Sequence, residues 1–154
     1  MRKVLMSFLM MAPYLLAGDG AHCHEVGGSV LTNFIDQVTT LGTATGELKG
    51  GLGVSVLSVT SGTGGSIVFL NHHHWVTESG DTIFFADADA TAFPMGIPGL
   101  FGVSYTNGVN ITGGTGRFAD ASGTLSVFGA VNLGLGQIVL RYEGKVCFGP
   151  MNGN

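Results

Sequence analysis

The sequence NITGGTGRFADASG occupies residues 110–123, between two stretches rich in β-branched and aromatic residues. Its glycines Gly113, Gly114 and Gly116 permit positive φ angles and a sharp reversal of the chain between two strands. Phe118 follows at once, and we expect its ring to fill the interior beside that reversal. The segment therefore predicts a tight connection between two β-strands.

The rest of the chain from residue 27 to residue 147 continues this pattern of short β-rich runs bounded by Gly, Asn, Asp or Ser. It contains no sustained amphipathic helix period. Eight strands are predicted, at residues 29–36, 43–49, 53–60, 66–77, 81–87, 101–111, 123–131 and 137–147. The stretch 90–100 contains two prolines and two glycines, and is predicted to be a loop over one end of the fold.

An even number of antiparallel strands with many internal glycines favours an all-β fold, an eight-stranded antiparallel β-barrel. Closure removes exposed strand edges, and glycines let strands coil sharply. A sandwich of the same strands is the structural alternative. Charged residues make up only 10% of the chain, against about 25% in typical soluble domains. We therefore expect part of the outer surface to be buried in a homo-oligomer.

The length of 154 residues fits one domain, and the formal net charge is −4 with only six Lys and Arg. Binding a nucleic-acid backbone requires several well-placed cations, so no nucleic-acid partner is expected. The same acidity, with no Gly-Lys-Ser/Thr ending after the glycines, argues against a phosphate-binding loop.

The N-terminus has the layout of an export signal. Arg2 and Lys3 precede an apolar run from Val4 to Leu16, and small residues follow at Ala17 and beyond. The run is too short to cross a bilayer as a permanent helix. Residues 1–21 are predicted to be a signal peptide and residues 22–154 a single barrel domain, in a secreted or periplasmic protein without a membrane span.

The chain has two cysteines, Cys23 and Cys147, near its two extremes. In an exported protein such a pair is typical of one disulfide joining the N-terminal segment to the last strand. Two unrelated thiols are the alternative.

The segment from Gly113 to Phe118 also carries a resemblance to a known family. Together with the segments 46–53, 72–82 and 142–147, it resembles the allene oxide cyclase and dirigent barrel superfamily, and most closely its uncharacterised bacterial secreted barrel-like members. The resemblance covers roughly residues 40–147. It implies an eight-stranded barrel, trimeric in cyclases and dirigent proteins, with an apolar lumen for a small organic ligand and no cofactor. The catalytic residues of the plant enzymes match no motif position here.

The run His72, His73, His74 and Trp75 is the most distinctive polar motif. Alternate side chains of a strand face opposite sides, so His72 and His74 share one face and His73 and Trp75 share the other. Pairing across the turn at Ser79–Gly80 places Asp87 opposite residue 71 or 72. His72, His74 and Asp87 are thus a conceivable metal site, although we favour hydrogen-bonded histidines without metal, and His72 and His74 are also candidate ligand-binding residues.

The last strand supplies the remaining candidates. Arg141 and Glu143 lie two apart and share a face, where they form either a solvated or interfacial ion-pair row or, if lumenal, an acid and base pair. Tyr105 and Tyr142 are candidate ligand-binding residues, since each hydroxyl can donate to a carbonyl in a pocket.

These observations lead to three hypotheses for function. The first is a barrel that binds a small apolar ligand in its lumen. The second is a cofactor-free cyclase or isomerase of the allene oxide cyclase or dirigent type, for which Arg141 and Glu143 are the first candidates. The third is a structural or interaction protein of the cell envelope, for which we expect a lumen filled by apolar side chains.

Overall fold

A computed structural model describes residues 22–149, and the predicted signal peptide at residues 1–21 lies outside them. The described chain is almost entirely β-structure, with three 3₁₀ turns at Gly46–Leu48, Thr63–Gly65 and Gly116–Phe118. Its strands are β1 (His22–Phe34), β2 (Thr39–Ala44), β3 (Gly50–Ser61), β4 (Ile67–Thr77), β5 (Thr82–Phe85), β6 (Ala88–Pro94), β7 (Leu100–Tyr105), β8 (Val109–Gly114), β9 (Ser122–Asn132) and β10 (Gln137–Phe148).

The ten strands form one closed antiparallel ring with eight positions. Strand β4 pairs with both β5 and β6, and β9 pairs with both β8 and β7. Strands β5 and β6 together occupy one position of the ring, with an interruption at residues 86–87. Strands β7 and β8 together occupy the next position, with an interruption at residues 106–108. The first and last strands pair from His22–Phe148 to Asn33–Gln137 and close the ring. This confirms the predicted eight-stranded barrel and excludes the sandwich.

Several predicted boundaries are wrong. Strand β1 begins at His22 and not at residue 29, and the strand predicted at 101–111 is interrupted at residues 106–108. The strand predicted at 43–49 is β2 at Thr39–Ala44, and the chain then enters a 3₁₀ turn that carries Leu48 inward, because Gly46 adopts a φ of +83°. The loop predicted at 90–100 begins only at residue 95, since β6 runs to Pro94. Ala90 and Ala92 are buried on the same face of this strand. The sequence did not predict the strand because alanine has a low β-propensity.

The two ends of the barrel differ. At one end, here called the closed end, lie the connections at residues 45–49, 78–81 and 115–121 and the start of β1. Its inward side chains, including Val26, Ile83, Phe118 and Val146, are buried and form a solid core. At the other end, here called the mouth, lie the loops at residues 35–38, 62–66, 95–99 and 133–136. Inward side chains there, such as Phe34, are only half-buried.

The glycine motif lies at the closed end, as a connection between β8 and β9. Gly113 and Gly116 have φ values of +135° and +52°, which favour glycine. A Cβ on Gly114 would overlap the Thr82 carbonyl oxygen and the Phe118 side chain. Phe118 is fully buried, as predicted.

The predicted disulfide is present. Cys23 and Cys147 are bonded partners on the paired strands β1 and β10, 124 residues apart in sequence. The bond therefore covalently fixes the seam at which the barrel closes.

We expect the Cys23→Ser/Cys147→Ser variant to lose free energy of unfolding of about 4 to 5 kcal/mol, because the loop that the bond closes is long. Urea unfolding followed by circular dichroism measures this difference. Dithiothreitol should lower the stability of the natural protein and leave the double variant unchanged. Equal stability of the two proteins under oxidising conditions would contradict the expectation.

Candidate functional site

The lumen contains an apolar cavity with a volume of about 90 Å³. A single water needs only about 10 to 15 Å³ on the same measure, so the space holds a small molecule. The cavity extends from Trp75 and Tyr142 toward the mouth, and its apolar lining comprises Val30, Phe34, Leu52, Val54, Val56, Phe69, Phe85, Val109, Leu125, Val127, Val131, Leu133, Ile138 and Leu140. The half-buried state of Phe34, Val56 and Ile138 shows that the lumen opens at the mouth.

The rings of Trp75 and Tyr142 form the floor of the cavity, and the 3₁₀ turn at Gly46–Leu48 holds them from the side of the closed end. Trp75 Nε1 donates a 2.7 Å hydrogen bond to the Leu48 carbonyl, and the Leu48 amide donates to the Tyr142 hydroxyl at 3.1 Å. Tyr142 in turn donates to the Thr45 carbonyl at 2.7 Å. The rings of Trp75 and Tyr142 meet edge to face with centroids 5.4 Å apart. Their polar atoms are thus used in holding the floor, and their rings face the cavity.

A cluster of three polar side chains interrupts the apolar wall. Asn71 Nδ2 donates to the Tyr105 hydroxyl at 3.0 Å, and His73 Nε2 lies 3.0 Å from the same oxygen. Since the Tyr105 oxygen accepts from Asn71, its own proton is free to bond His73 Nε2. The neutral imidazole then carries its proton on Nδ1.

The far atoms of this cluster, Asn71 Oδ1 and His73 Nδ1, are buried and accept or donate no hydrogen bond within the described residues. An unpaired buried polar atom costs about 1 to 3 kcal/mol relative to a paired one. Asn71 and His73 both line the cavity. The wall of the lumen therefore contains two unpaired polar atoms, and the buried Thr32 and Thr40 side chains line the same cavity.

The polar cluster is uncharged near neutral pH. Burial lowers the pKa of His73 to about 4, with the nearby His72 and His74 lowering it further and Asp87 opposing them. Burial likewise raises the pKa of Tyr105 to about 12. The pKa of the Tyr142 hydroxyl is also raised, again mainly by burial. His73 is thus an unprotonated imidazole and both tyrosines keep their protons.

His72 and His74 lie on the outer wall and are not lumenal. His72 Nδ1 contacts Asp87 Oδ1 at 2.6 Å, which agrees with the predicted register across the β4–β5 turn. The rings of His72 and His74 meet edge to face at 4.7 Å. Within residues 22–149, no group of three His, Cys, Asp or Glu side chains is arranged to hold a metal ion. At the suggested metal site His72 is therefore hydrogen-bonded to Asp87, and His74 contacts the His72 ring.

Arg141 and Glu143 also face outward, where they are exposed. The lumenal acid and base pair is therefore not formed. The exposed ion pair of Lys145 with Glu25 lies on the same face, with Nζ 3.1 Å from Oε1. An ion-pair row that includes Arg141 and Glu143, solvated or interfacial, stays a prediction.

The sequence-based candidates missed Asn71 and His73. Tyr105 and Tyr142 line the cavity as expected, whereas His72 and His74 do not. Trp75 could have identified the inner face of this strand, because a large apolar side chain favours the interior of a small barrel. Residues 71 and 73 alternate in phase with it and therefore share its face.

Comparison of the chain with protein families, curated proteins and solved structures finds no match. Across the part of the chain that the structure describes, none of the helical segments reaches the length and apolarity that crossing a bilayer requires.

We expect stability to fall by roughly 2 kcal/mol between pH 7.5 and pH 5, because His73 has an ordinary pKa near 6.5 when unfolded and a pKa of about 4 when folded. The unfolded chain then binds more protons than the folded one, so acid favours unfolding. Urea titrations at the two pH values measure the loss.

His73→Gln should remove most of this pH dependence, since glutamine does not titrate. His74→Gln, on the exposed outer wall, should retain it. An equal pH dependence in the natural protein and in His73→Gln would show that another group is responsible.

Proposed function

We propose that this barrel binds one small, mostly apolar molecule in its lumen. The observation that carries the proposal is the apolar cavity, which opens at the mouth and contains an unpaired donor and acceptor on Asn71 and His73. Ligand pockets are commonly apolar with a few orienting polar groups. A cavity favours this function over a structural protein, whose lumen we expected to be filled.

We further propose that the ligand carries one small uncharged polar group, such as a hydroxyl. In this proposal the group accepts from His73 Nδ1–H and donates to Asn71 Oδ1, the two unpaired atoms of the cluster. The remainder of the molecule contacts the aromatic and aliphatic wall, where burial of each CH₂ contributes about 0.8 kcal/mol.

Export to an oxidising compartment is part of the proposal. The disulfide between Cys23 and Cys147 supports it, because such bonds persist in secreted and periplasmic proteins. Membership of the allene oxide cyclase and dirigent superfamily is likewise a proposal, supported by the eight-stranded ring. The homo-oligomer stays a prediction, supported by the exposed and adjacent Leu31 and Val139 on the outer wall.

A cofactor-free isomerase is the second candidate function. The observation that favours it is the pair of buried groups in the lumen wall, the Tyr105 hydroxyl as a proton donor and the neutral imidazole of His73 as a proton acceptor, whose polar atoms lie 3.0 Å apart. In this case the lumen would orient a reactive molecule and exchange one proton with it. The two candidates differ in whether the bound molecule is recovered unchanged.

Native mass spectrometry against a library of short-chain fatty acids, monoterpenes and phenols, followed by calorimetry, tests ligand binding. We expect one guest per chain. Val54→Phe should weaken the best binder at least about tenfold, because the larger ring occupies the cavity. The matched control is Val76→Phe on the outer side of the neighbouring strand β4, which should bind normally. The idea fails if no library member binds, or if Val54→Phe binds as well as the control.

The polar group is tested with p-cresol and p-xylene, which differ in shape only by exchange of hydroxyl for methyl. In Asn71→Leu/His73→Phe, the affinity for p-cresol relative to p-xylene should fall by about tenfold, since two hydrogen bonds are lost. His74→Phe, on the outer wall, should leave the ratio unchanged. An unchanged ratio in the double variant would mean that the guest does not use these atoms.

A further inference from the structure

The loops around the mouth expose large apolar side chains at their tips. Three of the four loops do so, and their side chains are 52 to 69% exposed: Ile35, Val38, Met95, Ile97 and Leu135. The fourth, at residues 62–66, presents only Thr, Ser and Gly. The tips belong to separate connections and surround the opening of the lumen. We call these five side chains the apolar ring.

The mouth loops are also nearly free of charge. Among the charged side chains of residues 22–149, only Asp36 lies in a mouth loop. Its carboxylate accepts hydrogen bonds from the Val38 and Thr39 amides at 2.8 and 2.7 Å, and these bonds lower its pKa. The charge of Asp36 is therefore engaged in its own turn.

Charged groups are concentrated toward the closed end instead. The pair Lys49–Glu78, with Nζ 2.8 Å from Oε2, lies there, as do Glu47, Asp81 and Arg117. One end of the barrel is therefore well hydrated, and the other presents isolated apolar tips to water. Such a division is typical of proteins that insert one end into a lipid surface.

We propose that the apolar ring inserts into the surface of a lipid bilayer, with the closed end in water. Burial of a side chain such as Ile or Leu contributes about 1.5 to 3 kcal/mol, so a few tips suffice for reversible attachment. The ring contains no Lys or Arg. Attachment therefore does not depend on anionic lipids, whose attraction requires basic residues.

The described residues begin and end on the side of the barrel opposite the ring. Residue 22 begins β1 and residue 148 ends β10, and both lie at the closed end, away from the ring. A second copy packed mouth to mouth would seal the opening. A fluid bilayer accepts separate protruding tips without a matching surface. Insertion would also turn the opening of the lumen toward the lipid, where apolar molecules concentrate. The use of that opening by a ligand rests on the proposed function, whereas insertion itself does not.

Depth-dependent fluorescence quenching tests the proposal on the full chain. Trp75 is the only native tryptophan and is buried, so its signal serves as the background. Ile97→Trp places a reporter in the ring, and Val76→Trp places a matched reporter on an exposed strand position near the closed end. Each protein is mixed with phosphatidylcholine vesicles that contain dibrominated acyl chains.

The proposal predicts a blue shift and at least about a twofold quenching for Ile97→Trp, and neither for Val76→Trp. In vesicle flotation, Ile35→Ser/Leu135→Ser should reduce binding at least about tenfold, because two apolar contacts are removed. Val76→Ser/Phe84→Ser, near the closed end, should bind normally.

Three results would overturn the proposal. In the first, Ile97→Trp is not quenched by the brominated lipid. In the second, both reporters are quenched equally, as attachment through another part of the chain would cause. In the third, the Ile97→Trp reporter shifts to the blue without vesicles in a concentration-dependent manner, which would assign the ring to a second copy. Failure of ligand binding to the lumen would leave the quenching result unaffected.

Discussion

The pairing of β1 with β10 is the constraint on which the rest of the structure depends. Twelve consecutive residue pairs, from His22–Phe148 to Asn33–Gln137, join the two ends of the sheet and leave it without a free edge. Once the ring is closed, every strand has one inner and one outer face. Because side chains alternate between the two faces of each strand, closure directs every second side chain into a common lumen. The disulfide between Cys23 and Cys147 joins β1 to β10 covalently.

The eight positions of the ring were predictable because most of them are bounded by local signals, whereas the division of two positions into β5 with β6 and β7 with β8 was not predicted. Glycine-rich connections and β-branched runs identify eight segments without any knowledge of pairing. The errors occur where the local signal and the ring disagree. Ala90 and Ala92 have weak strand propensity, yet they lie against β4 and β7, whose backbone groups need partners. By its local sequence Leu48 continues a strand. In the barrel it lies instead in a 3₁₀ turn, where its amide and carbonyl form hydrogen bonds with Tyr142 and Trp75.

The candidate site was less predictable, since it depends on pairings between distant segments. Asn71 and Tyr105 are 34 residues apart and meet only because β6 lies between β4 and β7. The sequence divides the histidine run into two faces, but it contains no rule for choosing the inner one except the bulk of Trp75. Outward placement of Arg141 and Glu143 follows from the same parity, because the buried Leu140 and Tyr142 occupy the inner face of β10.

The absence of charge inside the described lumen narrows what it can hold. Its lining residues include no Asp, Glu, Lys or Arg, and His73 is neutral because its pKa lies near 4. An ionised guest would lose its hydration without gaining a counter-charge, which is far more costly than burial of a neutral polar group that finds a hydrogen bond. A carboxylic acid would therefore enter in its protonated form, with its pKa raised by the lumen. Alcohols and phenols meet no such penalty, since one hydroxyl can accept from His73 Nδ1–H and donate to Asn71 Oδ1, whereas a ketone oxygen can use only the His73 donor.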